Sequence, residues 1–184
     1  TGLRQMLDRS VNTPLTSSAG RLFDAVSALI GIRLINAYEG QAAMELEWAA
    51  GDEDVEPYGF LCHPATTPAA PVVVDWEPLV AELLAEVRAG APVSRMAARF
   101  HRTLAMIIGA TATLFGRERV ALSGGCFQNR LLTESAIREL TVRGFRPYWH
   151  QRVPPNDGGI ALGQIVVAGF NNPSRSLYVS RRSR

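Results

Sequence analysis

Hydrophobic spacing divides the chain into helices separated by short apolar runs. After Thr16-Ser17-Ser18, whose hydroxyls suit a helix start, Leu22, Phe23, Val26, Leu29 and Ile30 recur at helical spacing until Gly31 breaks the pattern. A second helix is predicted over Gln41 to Ala50, ending at the acidic turn Gly51-Asp52-Glu53-Asp54. Pro57 to His63 and Pro71 to Asp75 read as short strands, the second marked by three consecutive valines. A helix from Glu77 to Arg88 closes at Gly90, and Val93, Met96, Ala97, Phe100, Leu104, Ile107 and Ile108 trace the stripe of the longest helix, which ends near Gly116. A strand at Arg119 to Leu122, a helix over Gln128 to Arg143, a strand at Arg146 to His150 and a helix from Gly158 to Gly169 complete the series. This order predicts an α/β layer with a small sheet and right-handed crossovers. Residues 1–170 are expected to form the folded part, with the stretch from His63 to Pro71 as its main loop. The segment 171–184, with its serines and four arginines, reads as a flexible tail, or alternatively as a contact for an anion.

Composition narrows the chemistry. The chain has 184 residues, 47% of them hydrophobic and 20% charged, enough to bury a core of ordinary domain size. Nineteen basic against seventeen acidic side chains leave a net charge of +2, too small to argue for nucleic acid. Every basic residue is arginine, so a Schiff-base lysine, a lysine general base and a P-loop lysine are all excluded within this chain. Cys62 and Cys126 lie far apart and outside any Cys-x-x-Cys pattern, which argues against a disulfide framework or a zinc ribbon. The chain shows neither a charged-then-apolar leader nor an apolar stretch approaching the ~18 residues of a membrane span, and a cytoplasmic protein without membrane contact is expected. It opens on Thr1, which points to a piece of something longer.

Two glycine turns hold the candidate chemistry. Ser123-Gly124-Gly125-Cys126-Phe127-Gln128-Asn129 follows the apolar run Val120-Ala121-Leu122, and Pro154-Pro155-Asn156-Asp157-Gly158-Gly159 precedes the apolar run from Ile160 to Val167. Each reads as a chain reversal into a helix through residues without side chains, which lets a ligand approach the backbone and points to a phosphate or nucleotide site. Gly124 and Gly125 taken alone are equally readable as a tight turn. Asn129, opening the following helix, both donates and accepts and is suited to hold a base or sugar edge. Asp157 is open between a helix cap and a ligand for a divalent metal beside phosphate. Gly20 and Asp24, one helical turn apart, place a carboxylate near a bare backbone position, as a ribose-gripping helix does, or else Asp24 is an exposed residue of an amphipathic helix. Tyr38-Glu39-Gly40-Gln41 is either site lining through Glu39 or a capped turn. Cys126 has no base beside it and reads as a small buried side chain. His63, His101 and His150 are scattered without metal-ligand spacing, and His101 is expected to be structural or solvent-facing.

Four segments in order carry a resemblance: Thr16-Ser17-Ser18-Ala19-Gly20-Arg21-Leu22-Phe23-Asp24-Ala25-Val26, Tyr38-Glu39-Gly40-Gln41-Ala42-Ala43, Leu122-Ser123-Gly124-Gly125-Cys126-Phe127-Gln128-Asn129-Arg130-Leu131-Leu132, and Val153-Pro154-Pro155-Asn156-Asp157-Gly158-Gly159-Ile160-Ala161-Leu162-Gly163-Gln164. The chain resembles the hydrogenase maturation carbamoyltransferases of the HypF type, over the second half of their carboxy-terminal Kae1-like domain. The resemblance implies the helix-rich half of an actin-like ATPase (ASKHA, ribonuclease H-like) architecture. It also implies a parent enzyme that uses ATP, magnesium and carbamoyl phosphate. Such an enzyme forms a carbamoyl-adenylate and carbamoylates the carboxy-terminal cysteine of a HypE-type partner, on the way to the cyanide ligands of a nickel–iron centre.

Residue by residue, the resemblance implies that Gly20 and Asp24 face the ribose, that Gly124, Gly125 and Asn129 bind the phosphate and adenine region, that Gly158 and Gly159 line it, and that Asp157 ligates a divalent metal, iron or zinc. The chain departs from the family pattern in lacking the His-x-x-x-His motif that completes the metal site, and the acylphosphatase-like, zinc-finger and YrdC-like portions. The chain alone is therefore expected to fold and to bind nucleotide weakly, without turning over carbamoyl phosphate. Other classes stay open: an O-carbamoyltransferase acting on a small-molecule hydroxyl, a tRNA threonylcarbamoyl transferase, a sugar kinase of the same superfamily, or a non-catalytic nucleotide-binding or interaction fragment.

Overall fold

In the computed structural model, residues 2–52, 54–67 and 70–170 are described, so the expected tail at 171–184 falls outside them. The chain divides into two units, Thr1–Phe60 with Trp76–Phe100, and Leu61–Asp75 with His101–Arg184.

The first unit is helical. A short helix α1 (Gly2–Asp8), absent from the sequence reading, buries none of its residues. Helix α2 (Ala19–Leu29) begins where Ser18 Oγ accepts the Arg21 N–H at 3.4 Å, as its hydroxyl run predicts. Its Phe23 and Val26 face inward with Leu46 of α3 (Gln41–Ala49), Leu79 and Leu83 of α4 (Glu77–Arg88), and Phe100, the last residue that α5 (Val93–Phe115) gives this unit. Phe23 and Phe100 meet edge to face at 5.0 Å. Each such side chain contributes about 1.5–3 kcal/mol on burial, so this cluster rather than helix propensity holds the unit together.

Around the core runs a polar network centred on Arg99. Its guanidinium donates to Glu86 at 2.7 Å, to the Glu56 carbonyl at 2.9 Å and to the Pro57 carbonyl at 3.2 Å, and it lies 3.9 Å above the Tyr58 ring. Tyr58 in turn donates its hydroxyl to Glu86. Burial pushes the Glu86 carboxyl up, but the hydrogen bonds from Tyr58 and Arg99 outweigh it and hold the group below the usual carboxylate range. Burial and the Glu86 carboxylate both push the Tyr58 phenol up, so it stays protonated as a donor.

Among the described residues, the strands lie in the second unit. β1 (Leu61–His63) pairs antiparallel with β2 (Val73–Asp75), and β3 (Arg119–Leu122) pairs in parallel with β4 (Arg146–Trp149) through the crossover helix α6 (Arg130–Val142). The small sheet expected from sequence is thus two two-stranded sheets. The first strand is also shorter than its apolar run. Pro57 to Phe60 is not strand, because Tyr58 is buried in the first unit and the Gly59 N–H is donated to Glu82 at 3.0 Å. Leu122, Ala136 and Leu140 form the core between β3 and α6, covered by Ile108, Ala112, Val120 and Phe127. At Gly109 a Cβ would meet Arg143 Nε at 2.7 Å and Glu139 Cγ at 2.8 Å, so a bare backbone lets α5 lie close to α6.

The last helix, α7 (Ile160–Phe170), has no charged residue and exposes Ile160, Leu162, Ile165, Val167 and Phe170. Among the described residues no helix is long and apolar enough to cross a membrane.

Candidate functional site

Parallel pairing aligns the carboxyl ends of β3 and β4, with Leu122 opposite Trp149. The residues that follow each strand therefore emerge side by side, which is where open α/β sheets bind ligands. After β3 the chain turns through Gly124, whose φ of 108° is open to glycine and strained for other residues, into a 3-10 turn at Gly125–Gln128. After β4 it runs through His150 to a second 3-10 turn at Asp157–Gly159. The Gly124 N–H donates to the Pro155 carbonyl at 2.9 Å and ties the two turns together.

A cleft of about 300 Å³ opens at this junction, lined by Ser123, Gly124, Gly125, His150, Pro154, Pro155, Asn156, Asp157, Gly159 and Ile160. A larger hollow of about 440 Å³ lies along β3, bounded by Ile107, Ile108, Phe115 and Phe127. Its walls are largely apolar, whereas polar groups converge in the smaller cleft, and convergent polar groups mark a ligand site.

Glycine does different work at different positions of the cleft. At Gly159 a Cβ would stand 2.9 Å from the Pro154 carbonyl oxygen, so the close fold of the second turn requires glycine. At Gly125 a Cβ would meet nothing within 4 Å and φ is not positive, so the fold itself does not demand glycine there. Gly158 carries the N–H that Asn156 Oδ1 accepts at 3.1 Å. The cap on this turn is thus Asn156, one residue before the carboxylate proposed for that role. Asp157 is exposed, and among the described residues its carboxylate makes no hydrogen bond or ion pair. It is free for a ligand.

Asn129 is engaged within the protein. Its Oδ1 accepts the Leu132 N–H at 2.8 Å as the N-cap of α6, and its Nδ2 lies 2.9 Å from His101 Nε2, with both residues buried. An amide nitrogen only donates, so His101 Nε2 accepts and the ring carries its proton on Nδ1. The structure therefore ties Asn129 to the start of α6 behind the glycine turn, and His101, expected to be structural or solvent-facing, is buried.

Gly20 and Asp24 lie in the first unit. A Cβ at Gly20 would meet only Ser18 Oγ at 3.6 Å, so local packing does not account for that glycine. Asp24 pairs with Arg21 at 2.9 Å and accepts from Asn36 at 3.3 Å. The Tyr38-to-Gln41 segment is a turn into α3: Gly40 has φ 79° with no side-chain cap, Gln41 Oε1 accepts the Ala37 N–H at 2.7 Å, and Glu39 is exposed. Cys126 is half-buried, and burial pushes its thiol up, so it is protonated rather than poised as a nucleophile.

No group of three or more metal-ligating side chains comes together among the described residues. Asp157 could supply one ligand.

Sequence reading passed over Ser123 and His150 as site residues. They stand 27 positions apart, yet Ser123 Oγ lies 3.0 Å from His150 Nε2 on the wall of the cleft. Strand pairing was the signal that could have found them, since each directly follows one of two parallel strands.

Comparison with known proteins gives a consistent answer. Residues 1–164 match the family model described as the second subdomain of the carbamoyltransferase Kae1-like domain. The chain is 41% identical over 167 residues to the carbamoyltransferase HypF of Synechocystis sp., covering 90% of this chain and 21% of that protein. It is also 41% identical over 175 residues to the carbamoyltransferase HypF of Rhizobium leguminosarum bv. viciae, covering 91% and 22%. Full-length HypF in its phosphate- and nucleotide-bound form superposes with a TM-score of 0.82 at 40% identity, over 91% of this chain and 22% of that one. The chain thus spans about a fifth of the length of the relatives it matches.

Proposed function

The chain belongs to the HypF carbamoyltransferase family, as the second subdomain of its Kae1-like domain, and from that premise we propose that it supplies one wall of an ATP site used in carbamoyl transfer. The observation that carries the reading is the cleft at the carboxyl ends of β3 and β4, where two glycine turns are tied by the bond from Gly124 to Pro155. Gly125 is a glycine without a structural reason of its own, and a bare backbone facing a cleft is what close approach of a phosphate requires. At about 300 Å³ the cleft is at the lower end of small-molecule sites, sized for part of a nucleotide. A solved relative is described as nucleotide-bound, which is in keeping with this reading.

On this reading Gly124, Gly125, Gly158 and Gly159 receive the nucleotide with magnesium. Asn129 holds the first turn in place, and Gly20 and Asp24 serve the ribose. Asp157 gives one carboxylate to a divalent metal whose histidine ligands lie elsewhere in the polypeptide. The whole protein would use ATP and carbamoyl phosphate, by way of a carbamoyl-adenylate, to carbamoylate the carboxy-terminal cysteine of a HypE-type partner in nickel–iron hydrogenase maturation in the cytoplasm. The chain alone would bind nucleotide and not complete that reaction.

Calorimetric titration with magnesium ADP tests the nucleotide wall. Saturable binding is expected, and Gly125→Leu, which adds a side chain into open space, should weaken it at least ~10-fold, which is 1.4 kcal/mol, while leaving the melting temperature near that of the unaltered chain. Equal affinity in the two proteins would place the nucleotide elsewhere.

A further inference from the structure

Ser123 and His150 form a hydrogen-bonded pair on the wall of the cleft, and neither has another partner among the described residues. We propose that this pair is the phosphate-recognition element of the cleft, with Ser123 fixing the ring so that His150 Nδ1 or the serine hydroxyl meets a phosphoryl oxygen. The inference rests on the nucleotide reading above and assigns one end of the ligand within it.

Proton counting carries the assignment. If the serine hydroxyl donates to Nε2, the neutral ring holds its proton on Nδ1 and has an N–H left over. If Nε2–H donates to Oγ instead, the serine proton is left over. In either tautomer the pair keeps one donor with no protein acceptor, and an imidazolium would keep two. A side-chain donor beside a bare backbone offers an oxyanion a favourable contact.

Position agrees with chemistry. Both residues leave the carboxyl ends of paired parallel strands, so the geometry between them is set by the sheet rather than by loops. Asp157, the one carboxylate on the same wall, has no cation within the described residues. Left alone, that charge would repel a phosphate, and the donor pair in the same cleft gives the anion a favourable contact. A serine nucleophile is disfavoured by the same census, because no carboxylate orients the ring from Nδ1 as acyl-transfer triads require.

The test is a ladder of magnesium AMP, ADP and ATP titrated into the chain and into Ser123→Ala, His150→Ala and His150→Asn, each checked for an unchanged melting profile. The unaltered chain should bind more tightly as phosphates are added. His150→Ala should remove that increase, lowering ATP affinity about 10-fold or more while AMP affinity stays within about 2-fold, and Ser123→Ala should do so in part. His150→Asn places an amide donor near the position of Nδ1 and should restore much of the ladder. Equal loss for all three nucleotides would mark a merely structural pair and overturn the proposal, as would an unchanged ladder in His150→Ala. A flat ladder in the unaltered chain, with binding intact, would overturn this inference and leave the nucleotide site standing. No binding of any nucleotide would overturn the nucleotide reading and the inference with it.

Discussion

Asn129→Ala is expected to destabilise the second unit by about 2–4 kcal/mol. The side chain satisfies two groups at once: it accepts the Leu132 N–H at the start of α6, and it gives the buried His101 ring its hydrogen bond. Losing a helix cap costs about 1 kcal/mol, and stranding a buried acceptor costs a further ~1–3 kcal/mol. Asn129→Asp keeps the cap acceptor and loses the donor, so it should recover about 1 kcal/mol of the loss. Urea unfolding followed by circular dichroism measures both, and hydrogen exchange along 130–142 locates the effect. A loss below about 0.5 kcal/mol, ordinary for a surface change, would mean that the two bonds are not acting together. Because the cap sits at the end of the first glycine turn, the variant should also loosen the cleft, and its nucleotide affinity has to be read at a temperature where it is fully folded.

Arg99→Ala should cost a similar amount in the first unit, about 2–4 kcal/mol, through a different mechanism. The guanidinium is 14% exposed and serves two carboxylates, Glu86 and Glu82, two main-chain carbonyls and the Tyr58 ring. Removing one partner of a largely buried pair weakens the support of the other charge, here Glu86, at 18% exposure, which keeps the Tyr58 hydroxyl and Arg95 at 3.7 Å. Arg99→Lys keeps the charge but cannot reach the same acceptors with one ammonium, and should recover less than half of the loss. The pH dependence is a second readout. The Glu86 carboxyl lies below its ordinary value in the folded chain, so its contribution is present above the unfolded carboxylate range and is lost as pH falls through the folded value. Arg99→Ala should therefore flatten the acid limb of the stability curve, as measured by urea unfolding at several pH values. A parallel downward shift at every pH would show that the lost packing, not the charge, carried the effect.

Much of this was legible in the residues because local signals agreed with tertiary ones. Helix α4 runs over Glu77–Arg88 as read, since a Pro78 start, leucines at inward spacing and the Gly90 stop all point the same way. Where they disagreed, the reading slipped. Helix α1 carries Leu3, Met6 and Leu7 at helical spacing but buries none of its residues, so no core contact marks it. The apolar content of Pro57 to Phe60 reflects packing of Tyr58 against Glu86 and Arg99 rather than strand pairing, which no alternation pattern separates. Helix α6 starts two residues later than read, at Arg130, because Gly125–Gln128 forms its own 3-10 turn and Asn129 is the cap. The glycine turns themselves stood out, since glycine pairs beside apolar runs are local features. The Ser123–His150 pair did not, because only the parallel register of β3 and β4 brings residues 27 positions apart together. The parting into two units was invisible for the same reason: the hairpin between α3 and α4 belongs with the residues from His101 onward.

The measurement that bears most directly on the central claim is a map of backbone amide shifts in the isotope-labelled chain during titration with magnesium ADP. Binding at the β3–β4 cleft predicts that the largest shifts fall on 123–129 and 156–160, with those of the apolar hollow, Ile107 to Phe115, near zero. Shifts confined to the hollow, or no saturable shift at either glycine turn, would contradict it.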